Sequence, residues 1–129
     1  MLTAVRKILI VDDQPQFRRA LRLALSVKGY EILEAAGAAD ALDVLRGGAF
    51  DLILVDWLMP EIDGAELCRA IRAASDVPII MMTSRAEGRP AALAAGANDF
   101  VRKPFGVDEL LRHVESALAG NKAPYRFPV

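Results

Sequence analysis

At 129 residues, with 53% hydrophobic and 26% charged residues, the chain is sized for one compact domain with a substantial core. A formal net charge of −1 argues against a nucleic-acid-binding face, and a single cysteine, Cys68, excludes an intrachain disulfide or a multi-cysteine metal site. Residues 1–7 carry no apolar segment of signal-peptide form, and no apolar run reaches transmembrane length. The expectation is a cytoplasmic protein that makes no membrane contact.

In chain order, the first element is an apolar strand over 8–11 that runs into Asp12-Asp13. A helix follows, with Pro15 in its first turn and Phe17, Leu21, Ala24 and Leu25 on one face. Residues 30–34 mix charge with apolar side chains, as a strand at a sheet edge would. The pattern over 38–45 is helical and stops at Gly47-Gly48. A second wholly apolar strand, 52–55, runs into Asp56. The segment 64–73 places Leu67, Cys68 and Ile71 on one helical side, after a structural turn at Asp63-Gly64. A third apolar strand, 79–82, runs into Thr83-Ser84. A short strand, 100–102, runs into Lys103-Pro104. The last helix spans 107–118, with Val107, Leu110, Leu111, Val114, Ala117 and Leu118 as its apolar stripe, and ends at Gly120.

Strand alternating with helix five times predicts βαβ units and a doubly wound α/β domain on a parallel five-stranded sheet. Strands that are apolar throughout lie centrally, because helices cover both of their faces. The central places go to strands one, three and four, with two and five outside. This is the flavodoxin-like order 2-1-3-4-5, and its switch point lies between strands one and three. The domain is expected to cover residues 1–120. Residues 121–129, with Pro124 and Pro128, read as a frayed tail, with docking of Tyr125 and Phe127 on a partner as the alternative.

Groups at the carboxyl ends of parallel strands converge on one crevice. Here that crevice would gather Asp12, Asp13, Asp56, Thr83 and Lys103. Three carboxylates at close quarters repel one another and call for a hard divalent cation such as Mg²⁺, with Mn²⁺ as a substitute. The Thr83 hydroxyl and the Lys103 amine suit a phosphoryl group, whose transfer rests on positioning and charge neutralisation. One carboxylate could itself be the nucleophile, forming an aspartyl phosphate.

These residues carry a resemblance. Asp12-Asp13, the stretch Asp56-Trp57-Leu58-Met59-Pro60-Glu61-Ile62-Asp63-Gly64, Thr83, Lys103-Pro104-Phe105 and the segment Gly96 to Phe100 together resemble the receiver domains of two-component response regulators, of the CheY type. The resemblance covers roughly residues 5 to 119. It implies the CheY-like fold and Asp56 as phosphoacceptor. It also implies Asp13 as a direct Mg²⁺ ligand, Asp12 acting through water, and the Leu58 backbone carbonyl in the metal shell. Thr83 and Lys103 would bind the phosphoryl group, Thr83 and Phe100 would form the switch, and the bond before Pro104 would be cis. The implied partners are a histidine kinase or histidine phosphotransfer protein and an unnamed downstream protein. Such a domain catalyses only its own phosphorylation and dephosphorylation.

Two features depart from the family pattern. Phe100 stands where a tyrosine is common, and Thr83 and Lys103 are 20 positions apart, about two fewer than usual. The missing residues fall either in the stretch from Arg85 to Gly88 or in the first turn of the fourth helix, where Gly88 and Pro90 sit. A fourth helix of the usual length is therefore not expected, nor the usual output face of helix 4, strand 5 and helix 5. Among the remaining candidates, Cys68, Met81 and Met82 read as core, Trp57 as a packed or half-exposed aromatic beside the crevice, and His113 as a surface residue on the rim of the last helix. Three rival readings stand beside the receiver one: a haloacid-dehalogenase-type phosphatase, a flavodoxin-like FMN binder, and a receiver-like module that is never phosphorylated. The first needs an acid where Leu58 stands. The second would be repelled by Asp12-Asp13.

Overall fold

A computed structural model describes residues 5–85, 88–120 and 123–128. Its main sheet contains β1 (Lys7–Val11), β2 (Glu31–Ala35), β4 (Leu52–Asp56), β5 (Ile79–Thr83) and β6 (Asp99–Arg102). All neighbours pair in parallel, in the order β2-β1-β4-β5-β6. This is the expected arrangement, since β4, β5 and β6 are the third, fourth and fifth strands of the large sheet. Helices α1 (Pro15–Ser26), α2 (Ala38–Arg46), α3 (Gly64–Arg72), α4 (Gly88–Ala94) and α5 (Val107–Leu118) connect or follow the strands.

Side chains alternate across a strand, so each central strand supplies two cores. Leu9, Val11, Ile53, Val55, Ile79 and Met81 face the layer formed by α2, α3 and α4, where Cys68, Ile71 and Ala92 are fully buried. Ile8, Ile10, Leu52, Leu54, Ile80 and Met82 face α1 and α5, against Leu25, Leu110 and Val114. Each buried branched side chain stabilises the fold by about 1.5–3 kcal/mol. Both faces are covered, which is why these strands have no polar alternation.

The crevice end of the sheet is held by a few local devices. Gly64 lies against the end of β4: a Cβ there would sit 2.3 Å from the Asp56 carbonyl oxygen and 2.8 Å from the Trp57 Cα. Its N–H donates to the Trp57 carbonyl at 2.8 Å. The Asp63 carboxylate accepts from the Glu66 N–H at 2.9 Å, capping α3. The expected turn at Asp63-Gly64 is therefore also a close contact between helix and strand. Lys103–Pro104 is cis, as expected.

At the other end of α3, the Arg72 guanidinium donates to the carbonyls of Gly96, Ser75 and Val77 and to Asn98 Oδ1, at 2.8–3.0 Å. Asn98 Oδ1 also accepts the Ile79 N–H at 2.9 Å. One arginine thus ties a helix end to the starts of two strands.

One expectation needs correction. The chain after α5 is not frayed over its described part: Tyr125–Arg126 forms β7, antiparallel to β3 (Ala49–Phe50), and Tyr125 and Phe127 pack on the core. The pairing joins residues more than seventy positions apart, so no local pattern announces it. His113 lies on the half-exposed rim of α5, as expected, and its Nδ1 is 2.6 Å from Asp99 Oδ2. Over the described residues, α4 runs from Gly88 to Ala94. Among the described residues, no helix is long and apolar enough to cross a membrane.

Candidate functional site

The crevice gathers the residues named from the sequence. Asp12 follows β1, Asp56 ends β4 and Thr83 ends β5, with exposures of 0%, 6% and 1%. Asp13 stands on the solvent side of the group. One carboxylate oxygen from each of Asp12, Asp13 and Asp56 lies within 4.8 Å of the others.

Lys103 arrives from the loop after β6. Its Nζ donates to Asp12 Oδ2 at 3.3 Å and to Asp56 Oδ1 at 3.2 Å. The lysine is anchored through its backbone, since its N–H donates to the Thr83 carbonyl at 2.7 Å. The same ammonium lies 4.0 Å from the centroid of the Phe17 ring, and Phe105 meets that ring edge-on.

Asp12 is held from two further sides. Its Oδ1 accepts the Gln14 N–H at 2.8 Å, and its carbonyl accepts from Arg18 Nη1 at 2.6 Å. Thr83 Oγ1 accepts the Arg85 N–H at 3.1 Å. The hydroxyl thereby closes the turn from Thr83 to Arg85 after β5.

Electrostatics single out Asp56. Burial, then the neighbouring Asp12 carboxylate, push its pKa up to about 6, while Lys103 pulls it down and Asp13 adds a smaller push. Three carboxylates against one ammonium leave a net negative crevice. Three hard oxygen donors at this spacing fit a divalent cation that keeps several waters. Leu58, two positions beyond Asp56, lies in the loop before α3 with its side chain exposed.

Trp57 is buried beside the crevice, as expected, and the Arg85 guanidinium lies 5.9 Å from its ring. Phe100 is half-buried against the core. A residue the sequence reading did not place here is Gly88. A Cβ on it would meet Thr83 Cγ2 at 2.8 Å and the Phe100 ring at 3.0 Å. The first residue of α4 therefore touches both members of the expected switch. A glycine opening a helix was the available signal, but only the fold shows what it abuts. Periodicity puts Phe17 on the apolar stripe of α1, and only the packing of α1 brings it against Lys103.

A parallel α/β sheet with buried acids at its switch point, and a lysine and a threonine beside them, defines a ligand-binding crevice of the doubly wound class. The chain belongs to the response regulator receiver domain family, with residues 8–115 matching it. It is 38% identical over 127 residues to the probable transcriptional regulator ycf27 of Porphyridium aerugineum, covering 92% of this chain and 53% of that protein. It is 39% identical over 115 residues to the response regulator MprA of Mycobacterium sp. (strain KMS), covering 87% and 50%. Among solved structures, it superposes on the Vibrio cholerae chemotaxis protein CheY4 with a TM-score of 0.83 at 32% identity, covering 89% of this chain and all of the other. The chain spans about half the length of the curated relatives it matches. It is thus a receiver domain of the two-component response regulators, a family whose members accept phosphoryl groups.

Proposed function

We propose that this domain takes a phosphoryl group onto Asp56 from a phosphohistidine on a histidine kinase or a histidine phosphotransfer protein, and signals by protein–protein contact. The observation that carries the reading is Asp56 itself: a buried strand-end carboxylate with an ammonium at 3.2 Å and a second acid behind that ammonium. At neutral pH a group with a pKa of about 6 is ionised and so nucleophilic. An Asp56 carboxylate oxygen bonds to phosphorus as the P–N bond to the donor imidazole breaks. The imidazole leaves with the bonding electron pair and is protonated.

Asp12, Asp13 and Asp56 would hold Mg²⁺, with the Leu58 carbonyl completing the protein's share. A bound cation would supply the positive charge that lets an anionic donor enter an acidic crevice. Lys103 would move its contact from the Asp56 carboxylate to an oxygen of the new phosphoryl group. The Thr83 hydroxyl would donate to another oxygen. Phe100 and Gly88 would register the displacement of Thr83, because Gly88 lies so close to both Thr83 and Phe100 that a Cβ on it would meet each. Two packings of α4 against β6 would then be biased by phosphorylation.

The test is incubation of the protein with acetyl phosphate and Mg²⁺, followed by intact mass measurement. One phosphoryl group should be added, and chelation of Mg²⁺ should abolish the addition. Equal incorporation by Asp56→Asn would overturn the assignment.

A further inference from the structure

Lysine is a compact, strongly hydrated charge on a flexible four-carbon stem, so its ammonium is not placed by its backbone alone. In this crevice, two of the three Lys103 donors go to Asp12 and Asp56. The ammonium also faces the Phe17 ring, 4.0 Å away, while the lysine side chain as a whole is 20% exposed. The ring plane is itself fixed, because Phe105 contacts it edge-on at 5.9 Å between centroids and 71° between planes. Phe105 lies two positions after Lys103, and Phe17 lies on α1 five positions after Asp12. The two chain segments that bring Lys103 and Asp12 to the crevice therefore also bring the aromatic pair.

We propose that Phe17 is a positioning residue that holds the Lys103 ammonium between Asp12 and Asp56 by presenting its ring face to the charge. The proposal rests on the phosphoacceptor reading and assigns part of the work at that site to a side chain that touches neither metal nor phosphate. An aromatic face attracts a cation within about 6 Å, whereas an aliphatic side chain of similar bulk does not. With leucine at this position, the ammonium would rotate toward solvent or settle wholly on Asp12. It would then be misplaced for the oxygen that forms on Asp56.

The experiment compares Phe17→Leu and Phe17→Tyr with the parent, using the full chain. The first readout is the NMR shift of the Lys103 ε-methylene protons without metal, which a ring face 4.0 Å from Nζ moves upfield. The second is the rate of phosphorylation by acetyl phosphate with Mg²⁺, in which the donor's P–O bond breaks and acetate leaves with the electron pair. The expected result is an upfield shift in the parent and in Phe17→Tyr, lost in Phe17→Leu. The rate should fall about 3- to 10-fold in Phe17→Leu and be restored in Phe17→Tyr. Equal rates for the leucine and tyrosine variants would show that bulk alone matters and would overturn the proposal, as would a parent without the upfield shift. A parent that shows the shift yet takes no phosphoryl group would instead overturn the phosphoacceptor reading.

Discussion

Replacing Asp56 by asparagine should stabilise the metal-free protein at neutral pH, although it removes the group proposed to accept phosphate. Asp56 has its pKa raised from 3.8 to about 6, chiefly by burial and then by Asp12. The ionised form is therefore disfavoured in the folded state relative to the unfolded chain. A raised folded-state pKa contributes stability that is present below the unfolded value and lost as pH rises through the folded one. The contribution thus fades between about pH 4 and pH 6. A shift of about two units at ~1.36 kcal/mol per unit sets a ceiling of about 3 kcal/mol. Asparagine recovers only part of it, because its amide oxygen gives up the charge-assisted bond from Lys103, a loss of about 1 kcal/mol.

A net gain of about 1–2 kcal/mol corresponds to a Tm increase of about 3–8 °C for a domain of this size. The assay is thermal unfolding in EDTA from pH 5 to pH 8, followed by a Mg²⁺ titration at pH 8. The variant's advantage should grow with pH and level off above pH 7. Mg²⁺ should then raise the Tm of the parent much more than that of the variant, closing the gap. An Asp56→Asn protein that is less stable than the parent at pH 8 in EDTA would refute the electrostatic account. So would an advantage that does not change with pH.

Gly64→Ala should cost about 2–3 kcal/mol in urea unfolding, because its Cβ would fall 2.3 Å from the fixed Asp56 carbonyl. An unchanged midpoint would show that α3 can slide away from β4 freely. Arg72→Met retains the aliphatic stem but removes the bonds to Gly96, Ser75, Val77 and Asn98. It should cost about 2–4 kcal/mol, with early loss of amide exchange protection at Val77, Ile79 and residues 96–98. Gly88→Ala should leave the Mg²⁺-dependent Tm shift intact while moving the NMR resonances of Thr83 and Phe100, because its Cβ would press on both. Spectra of those two residues that match the parent's would place the start of α4 elsewhere.

The amino-acid sequence determined the sheet and most of the crevice. Strands such as 52–55 and 79–82 are apolar without alternation because both faces are covered, and that single fact orders them into the centre. Once they are central and parallel, Asp12, Asp56, Thr83 and Lys103 must meet at one end, since each lies at or just beyond the carboxyl end of its strand. Periodicity reaches only as far as one element and its immediate neighbours. The contact of Tyr125 with β3, the Arg72 cluster and the His113–Asp99 bond each join segments whose local patterns are unremarkable alone.

The same limit applies within the site. The residue types predicted a metal and a phosphoryl group, because carboxylates, a hydroxyl and an amine have that chemistry wherever they gather. What surrounds each group depended on the tertiary structure. The Phe17 ring beside Lys103 and the bare Gly88 between Thr83 and Phe100 come from helices packed across the crevice. Strand ends place charges, while helix packing decides what those charges lean against. That second step requires side chains far apart in the chain to compete for one small volume.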